Sequence, residues 1–130
     1  MRAPIPSSVF YEPMHEFLRA IANRVVVVGS VARTVRRECF HLPKDIDLLC
    51  DLDSNKARKE ISNAIDHYEL RFESPLVASW TFRDYGWMVE ILGIHHGPPY
   101  KQVRRKAELI TIGGVLLPVA RAEDAPKERR

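Results

Sequence analysis

The stretch VVVVGSVAR at residues 25–33 and the stretch DIDLLC at residues 45–50 decide the fold. The first is a β-branched run closed by Gly29, and it predicts a short buried strand because β-branched side chains suit a pleated surface. Ser30 then suits the N-cap of a short helix over residues 31–38. The second stretch alternates into an apolar run and predicts another strand. A strand, a helix and a strand therefore follow one another in this part of the chain.

Periodic patterns extend outward from this unit in both directions. Apolar residues at helical spacing predict helices at 14–22, from 53 or 54 to about 67, and at 100–107. Strand patterns occur at 69–73, 76–83, 87–92, 109–112 and 115–119, and a Gly-Gly pair predicts a hairpin turn between the last two. Residues 1–12 are expected to form an irregular lead-in. We predict a single domain over 1–130, of α/β (or α+β) class, with a mixed, twisted sheet of about five strands and helices mainly on one face.

Composition and charge narrow the class of protein. The chain has 130 residues, 45% of them apolar and 28% charged, as in an ordinary soluble globular domain. A net charge of +3 is too small for a dedicated nucleic-acid binder but suits a polyanionic ligand. Cys39 and Cys50 form no CxxC pair, so we expect reduced, structural thiols. The N-terminus lacks the apolar core of a signal peptide, and no apolar run approaches the roughly 20 residues of a membrane helix, so a cytoplasmic protein without membrane contact is expected.

Three acidic residues in strand patterns predict a metal site. Asp45 and Asp47 are two apart in a strand and therefore project from the same face. Two carboxylates this close repel each other unless a cation lies between them, and hard oxygen ligands suit Mg²⁺ or Mn²⁺. Glu90 stands in an otherwise apolar strand, which is costly unless its face opens on a site. Two ions held by these carboxylates could clamp a triphosphate and activate an attacking hydroxyl.

The junction after the first strand predicts a phosphate site. Gly29 lets the backbone approach a phosphate closely, and Ser30 offers a hydroxyl at the head of a helix whose free N–H groups favour anions. Arg33, one turn further, could reach the same phosphate. An isolated Asp-x-Asp is usually a solvated pair, and Gly-Ser after a strand is a common turn. Their order along the chain, together with Glu90, favours a triphosphate site.

These residues resemble a known family. Gly29-Ser30-Val31-Ala32-Arg33 with Asp45-Ile46-Asp47-Leu48 resembles the signature of the DNA polymerase β-type nucleotidyltransferase superfamily. The GSxAR form is most similar to the minimal nucleotidyltransferases, which include those paired with small helical toxin partners and those that modify aminoglycosides. The segment PKDID, residues 43–47, is also similar to the head domain of tRNA CCA-adding enzymes and poly(A) polymerases.

The resemblance implies a nucleotidyltransferase fold and a role for each matched residue. Asp45, Asp47 and Glu90 would be catalytic and would hold two Mg²⁺ (or Mn²⁺) ions, with Glu90 in place of the family's usual Asp. The implied nucleotide-binding residues are Gly29, Ser30, Arg33, Lys44 and Lys127, the last resembling a lysine often found in the family's closing helix.

The implied activity transfers a nucleoside monophosphate from a nucleoside triphosphate (NTP) to a hydroxyl of an RNA end, a protein or a small molecule, with release of pyrophosphate. The chain ends where larger members add helical domains that hold the acceptor, so a helical partner protein or a second copy could complete the site. Two alternatives stay open. One is an NTP-binding, antitoxin-like partner subunit without turnover, and the other is a nucleic-acid-binding accessory domain.

Three more groups of side chains have two interpretations each. The pair His95-His96 lacks the further ligands of a zinc site and is interpreted as a loop at the rim of the site. Three aromatic residues are expected in the core, with one exposed ring stacking on a base as the alternative: Trp80, Phe82 and Trp87. Three basic residues are expected on a solvated helix face, with contacts to an RNA backbone as the alternative: Arg104, Arg105 and Lys106.

Overall fold

The structure, a computed structural model, describes residues 10–36, 45–51, 53–76, 79–93 and 97–124. Within these ranges the chain is a mixed α+β protein with four α-helices and one seven-stranded sheet, which confirms the predicted class. The helices are α1 (Glu12–Ile21), α2 (Gly29–Arg36), α3 (Asn55–His67) and α4 (Tyr100–Lys106). The strands are β1 (Val25–Val28), β2 (Asp45–Cys50), β3 (Phe72–Leu76), β4 (Ser79–Asp84), β5 (Trp87–Leu92), β6 (Glu108–Ile112) and β7 (Val115–Val119).

The sheet is larger than predicted. Its order is β3-β4-β5-β2-β1-β7-β6, and the prediction of about five strands is wrong. The β6–β7 hairpin was expected as a local unit, but β7 also pairs with β1 in parallel, with Val27 beside Val119. This pairing joins segments far apart in the chain, so no local sequence pattern could show that the hairpin belongs to the same sheet as β1. Strand β2, in the middle of the order, runs antiparallel to β1 and parallel to β5.

One face of the sheet, which we call the core face, carries a row of apolar side chains. Ile46 pairs with Val89, Val89 with Phe82, and Phe82 with Phe72, so the row crosses four strands. Helix α1 packs against the β3 end of this row, where the ring of Phe17 lies 5.2 Å from that of Phe72 between centroids. Because side chains alternate along a strand, every second residue of β2, β4 and β5 must point to the opposite face.

The helices begin and end close to their predicted bounds, with local reasons for the differences. Helix α1 starts at Glu12, inside the predicted lead-in, because a proline is tolerated in the first turn. Helix α2 begins at Gly29, one residue before the predicted cap. Helix α3 is capped by Ser54, one of the two caps that the sequence allowed besides Asp53, and the Ser54 hydroxyl oxygen accepts the Ala57 N–H at 3.1 Å. No helix in the described part of the chain has the length and apolarity that crossing a membrane requires.

We expect Ser54→Ala to lower the free energy of unfolding by about 1 kcal/mol, because the Ala57 N–H loses its acceptor at the helix end. For a domain of this size the thermal midpoint should fall by about 4 °C. The matched control is Ser62→Ala, an exposed position inside the same helix, where alanine should leave stability unchanged or raise it slightly. Equal effects of the two changes in urea unfolding would show that the cap does not stabilise α3.

Candidate functional site

The predicted carboxylates lie together on the face of the sheet opposite the core face. Asp47 in β2 is in register with Glu90 in β5, and Glu90 is in register with Thr81 in β4. On its other side Asp47 faces Val28, the last residue of β1. Neighbouring strands are about 4.8 Å apart, so Asp47 and Glu90 stand side by side on the same surface. We call this surface, with Asp45, the carboxylate face.

A second row completes the carboxylate face. Asp45 is in register with Met88, and Met88 with Arg83. The side chains of Asp45, Asp47 and Glu90 are all half-buried, whereas Arg83 is exposed. The face therefore combines carboxylates that are partly shielded from water with a guanidinium two strands away.

Gly29, the first residue of α2, lies against the carboxylate face. It has a φ of +73°, a backbone conformation that residues with a Cβ rarely adopt. A Cβ placed on Gly29 would lie only 2.6 Å from Oδ2 of Asp47. Any other residue here would therefore be strained and would also displace the Asp47 carboxylate. The glycine predicted to approach a phosphate thus lies directly against a predicted metal ligand.

Helix α2 brings the remaining described candidates to the same end of the sheet. Ser30 and Arg33 lie in its first turns, directly after Gly29, and both are half-buried. The helix contacts both β1 and β2, so its first turn is held beside the carboxylates. The free N–H groups at such a helix start favour anions, which agrees with a phosphate bound between this helix and a cation on the carboxylates.

Some predicted residues fall outside the described ranges. Lys44 and Lys127, two of the nucleotide-binding candidates, belong to this group, as do His95, His96 and Cys39. The described thiol, Cys50, is buried and free, as expected for a structural cysteine. Burial, with a smaller contribution from Asp51, raises the pKa of Cys50 to about 11, so this thiol is not a nucleophile near neutral pH.

The carboxylate oxygens of Asp45, Asp47 and Glu90 are ligands that suit a hard divalent cation, but the three side chains do not meet at one point. Among the described residues, no three His, Cys, Asp or Glu side chains are arranged so that they could hold a metal ion. The backbones of Asp47 and Glu90 are nevertheless strand neighbours, and Asp45 is on the same face.

The aromatic and basic residues singled out in the sequence lie mostly away from this face. Phe82 and Trp87 are buried in the core, as the simpler interpretation predicted, and Trp80 is half-buried against it. Arg105 and Lys106 are exposed on α4, as expected for a solvated helix face. Thr81 and Arg83 were not predicted as residues of this face. Alternation in the predicted strand 76–83 places them opposite Phe82, but only the register shows that they flank Glu90 and Met88.

The three described cavities lie elsewhere on the molecule. The largest, about 430 Å³, is at the far end of β2 and includes Asp51 and Tyr100 in its walls. Another, about 410 Å³, lies at the turn between β4 and β5 and is considered below. The third, about 360 Å³, is lined by α3 and Trp80. The carboxylate face is thus a half-buried surface beside a helix start rather than a wall of one of these cavities.

Comparison with known proteins identifies no family for this chain. No protein-family model matches the chain, and no curated protein matches it. The function is therefore inferred from the arrangement of Asp45, Asp47, Glu90 and Gly29 described above.

Proposed function

We propose that this protein has a nucleotidyltransferase fold and transfers a nucleoside monophosphate from an NTP to a hydroxyl acceptor, with Mg²⁺ (or Mn²⁺) bound at Asp45, Asp47 and Glu90. The observation that carries the proposal is the contact of Gly29 with Asp47 beside the Asp47–Glu90 register pair. It joins a helix start suited to phosphate with carboxylates suited to a divalent cation. A metal-bound triphosphate is the ligand that needs both features within a few ångströms.

The residues divide into cation and phosphate ligands. Asp45 and Asp47 would supply oxygen ligands for two ions, and such ions would supply the positive charge that stabilises the transferred phosphoryl group. The N–H groups at the start of α2, the Ser30 hydroxyl and Arg33 hold the phosphates. Lys44 and Lys127 remain additional phosphate ligands in this proposal on the basis of the sequence alone.

The chemical step is an in-line displacement. The acceptor hydroxyl oxygen forms a bond to the α-phosphorus, while the bond from that phosphorus to the pyrophosphate oxygen breaks. Glu90 accepts the hydroxyl proton or orients the hydroxyl for attack. No covalent enzyme intermediate is needed, because positioning and charge neutralisation supply the catalysis.

A second candidate is an NTP-binding partner subunit that does not turn over. It needs only the carboxylates and the start of α2, which can hold an NTP and its cation whether or not transfer follows. In that case a helical partner protein or a second copy would be needed to complete the acceptor side. Both candidates require the same nucleotide site, so only the formation of a transfer product distinguishes them.

The test is calorimetric titration of each NTP into the protein, first with Mg²⁺ and then with EDTA, followed by incubation with labelled NTP and acceptors of RNA, protein and small-molecule type. We expect saturable binding of at least one NTP that disappears in EDTA, and labelled product with one acceptor class. Metal-dependent binding without product in any class would favour the partner subunit. No binding of any NTP with Mg²⁺ would overturn both candidates.

A further inference from the structure

The cavity of about 410 Å³ between the start of α1 and the β4–β5 turn, which we call the tyrosine cavity, has an unusual wall. Three rings that contact it form a column. Phe82 is 6.1 Å from Tyr11 with 16° between the ring planes, and Tyr11 is 4.1 Å from Tyr85 with 23° between them. Phe82 is 1% exposed and Tyr85 is 64% exposed. The column therefore begins in the core and ends in a ring with an open face.

The backbone at the mouth of the tyrosine cavity is strained. Among the described residues other than glycine, only Glu69 and Tyr85 have a positive φ, 54° in each case, and both line this cavity. Tyr85 forms a two-residue turn with Gly86, where asparagine or aspartate normally precedes the glycine. A large ring kept at such a position, mostly in solvent, contributes little to the core. Backbone strain of this kind, a positive φ at a residue other than glycine, is common at functional sites, where it holds a side chain in place for a ligand.

The polar groups around the column suit an aminated planar ring. The Asp84 carboxylate accepts the Tyr85 N–H at 2.8 Å and can accept further hydrogen bonds, and the exposed Glu69 carboxylate offers another acceptor. Carboxylates accept hydrogen bonds from the exocyclic amino groups of bases. Arg71, exposed in the same cavity, suits a phosphate of the same nucleotide. Burial, and then Tyr85 and Asp84, raise the pKa of Tyr11, so its hydroxyl remains a donor.

The tyrosine cavity lies at the same end of the sheet as the carboxylates. Met88 is in register with Asp45, and Tyr85 precedes Met88 by three residues. At about 3.3 Å per residue and about 4.8 Å between strands, Tyr85 is roughly 10 Å from Asp45, around the end of the sheet. A short single strand that passes around the end of the sheet can join the two places.

We propose that the tyrosine cavity binds an unpaired nucleobase with an exocyclic amino group, stacked on Tyr85, in a single-stranded RNA whose end is the acceptor on the carboxylate face. Stacking on an exposed ring needs no particular sequence, and the Asp84 and Glu69 acceptors favour cytosine and adenine over uracil. The base site stands on the cavity alone, whereas the role of the strand as acceptor rests on the proposed function.

The test measures fluorescence anisotropy of labelled oligocytidine, oligoadenine and oligouridine of about ten nucleotides, within the site sizes usual for single-strand binding, in EDTA and without NTP. Under these conditions the result does not depend on metal or NTP binding at the carboxylates. We expect oligocytidine and oligoadenine to bind more tightly than oligouridine.

Tyr85→Asn should raise the Kd roughly tenfold, whereas Tyr85→Phe, which keeps the ring, should not. Tyr85→Asn should not lower the thermal midpoint, because asparagine suits the turn.

Two controls make the outcome specific. Leu109 is 59% exposed at the far edge of the sheet, and Leu109→Asn should leave oligonucleotide binding unchanged. Arg71→Gln should reduce the slope of log affinity against log salt by about 0.7, as expected for one lost phosphate contact on a single strand. Unchanged affinity in Tyr85→Asn would overturn the base site. If cytidine monophosphate binds as tightly as the oligomer, the ligand is a single nucleotide and not a strand. If a proline-rich peptide binds and no oligonucleotide does, the cavity is a site for a protein partner instead.

Discussion

Asp47→Asn should remove metal-dependent NTP binding and lower turnover by roughly a hundredfold or more, because loss of groups that merely support a metal ligand already costs 10- to 100-fold. Asp47 is central to the site: it is in register with Glu90 and lies against Gly29. Asparagine has the same shape but lacks the charge that a divalent cation requires. An NTP present at about 100 times its Kd, with Mg²⁺, should stabilise the wild type by about 2.7 kcal/mol, or about 10 °C in thermal midpoint. This shift should be absent in Asp47→Asn.

The matched control for that experiment is Asp51→Asn, which removes the same charge just past the other end of β2. Asp51 lies four residues beyond Asp47, about 13 Å along the strand, and the amide oxygen of asparagine can still accept the Asp53 N–H. Asp51→Asn should therefore keep both the calorimetric affinity and the thermal shift. If Asp47→Asn binds Mg²⁺ and NTP as the wild type does, the nucleotide site is not on the carboxylate face.

Gly29→Ala should have the second largest effect, because it combines backbone strain with a steric clash. At a φ of +73°, alanine costs about 1–2 kcal/mol of stability. Its Cβ would also lie 2.6 Å from Asp47 Oδ2, which must rotate away. Rotation of a side-chain end is inexpensive for the fold, but it removes the carboxylate from its place beside the start of α2. We expect a modest fall in the free energy of unfolding and a loss of NTP affinity of at least tenfold.

Gly114→Ala separates the effect of backbone strain from the effect of the clash with the Asp47 carboxylate. Gly114 has a φ of +84° in the β6–β7 turn, away from the carboxylates, so alanine there meets a similar backbone cost. Urea unfolding should give comparable losses of stability for the two variants, while calorimetry should show normal NTP binding in Gly114→Ala alone. Normal NTP binding in Gly29→Ala would mean that the Gly29–Asp47 contact has no part in the nucleotide site.

Elements with strong local patterns were predictable, and their neighbours in the sheet were not. The strand at 87–92 was predicted as observed, and Ser54 was one of the two predicted caps of α3, since each feature depends on a few consecutive residues. The seven-stranded sheet was not, because β7 joins β1 through a contact between distant segments. The start of α2 at Gly29 was also missed by two residues, since a serine after a glycine is the stronger local cap signal.

The candidate site was predictable in kind but not in arrangement. Alternation alone assigned Asp45 and Asp47 to one face, and an acidic residue in an apolar strand identified Glu90. Core packing, the role predicted for the aromatic residues, is confirmed for Phe82 and Trp87, so the alternative of stacking on a base does not suit these two rings. Among the described aromatic residues the exposed ring is that of Tyr85, which was not predicted to stack on a base.

By itself, the sequence determined the class of fold, most element bounds and the chemical character of the candidate ligands, because periodicity and backbone preference act over a few residues. Tertiary structure decided that Asp47 stands beside Glu90, that Gly29 lies against Asp47, and that Tyr11 stacks on Tyr85. Each of these contacts joins separate elements. They depend on how the sheet orders its strands and how α1 packs across them, and a local sequence pattern carries no information about either.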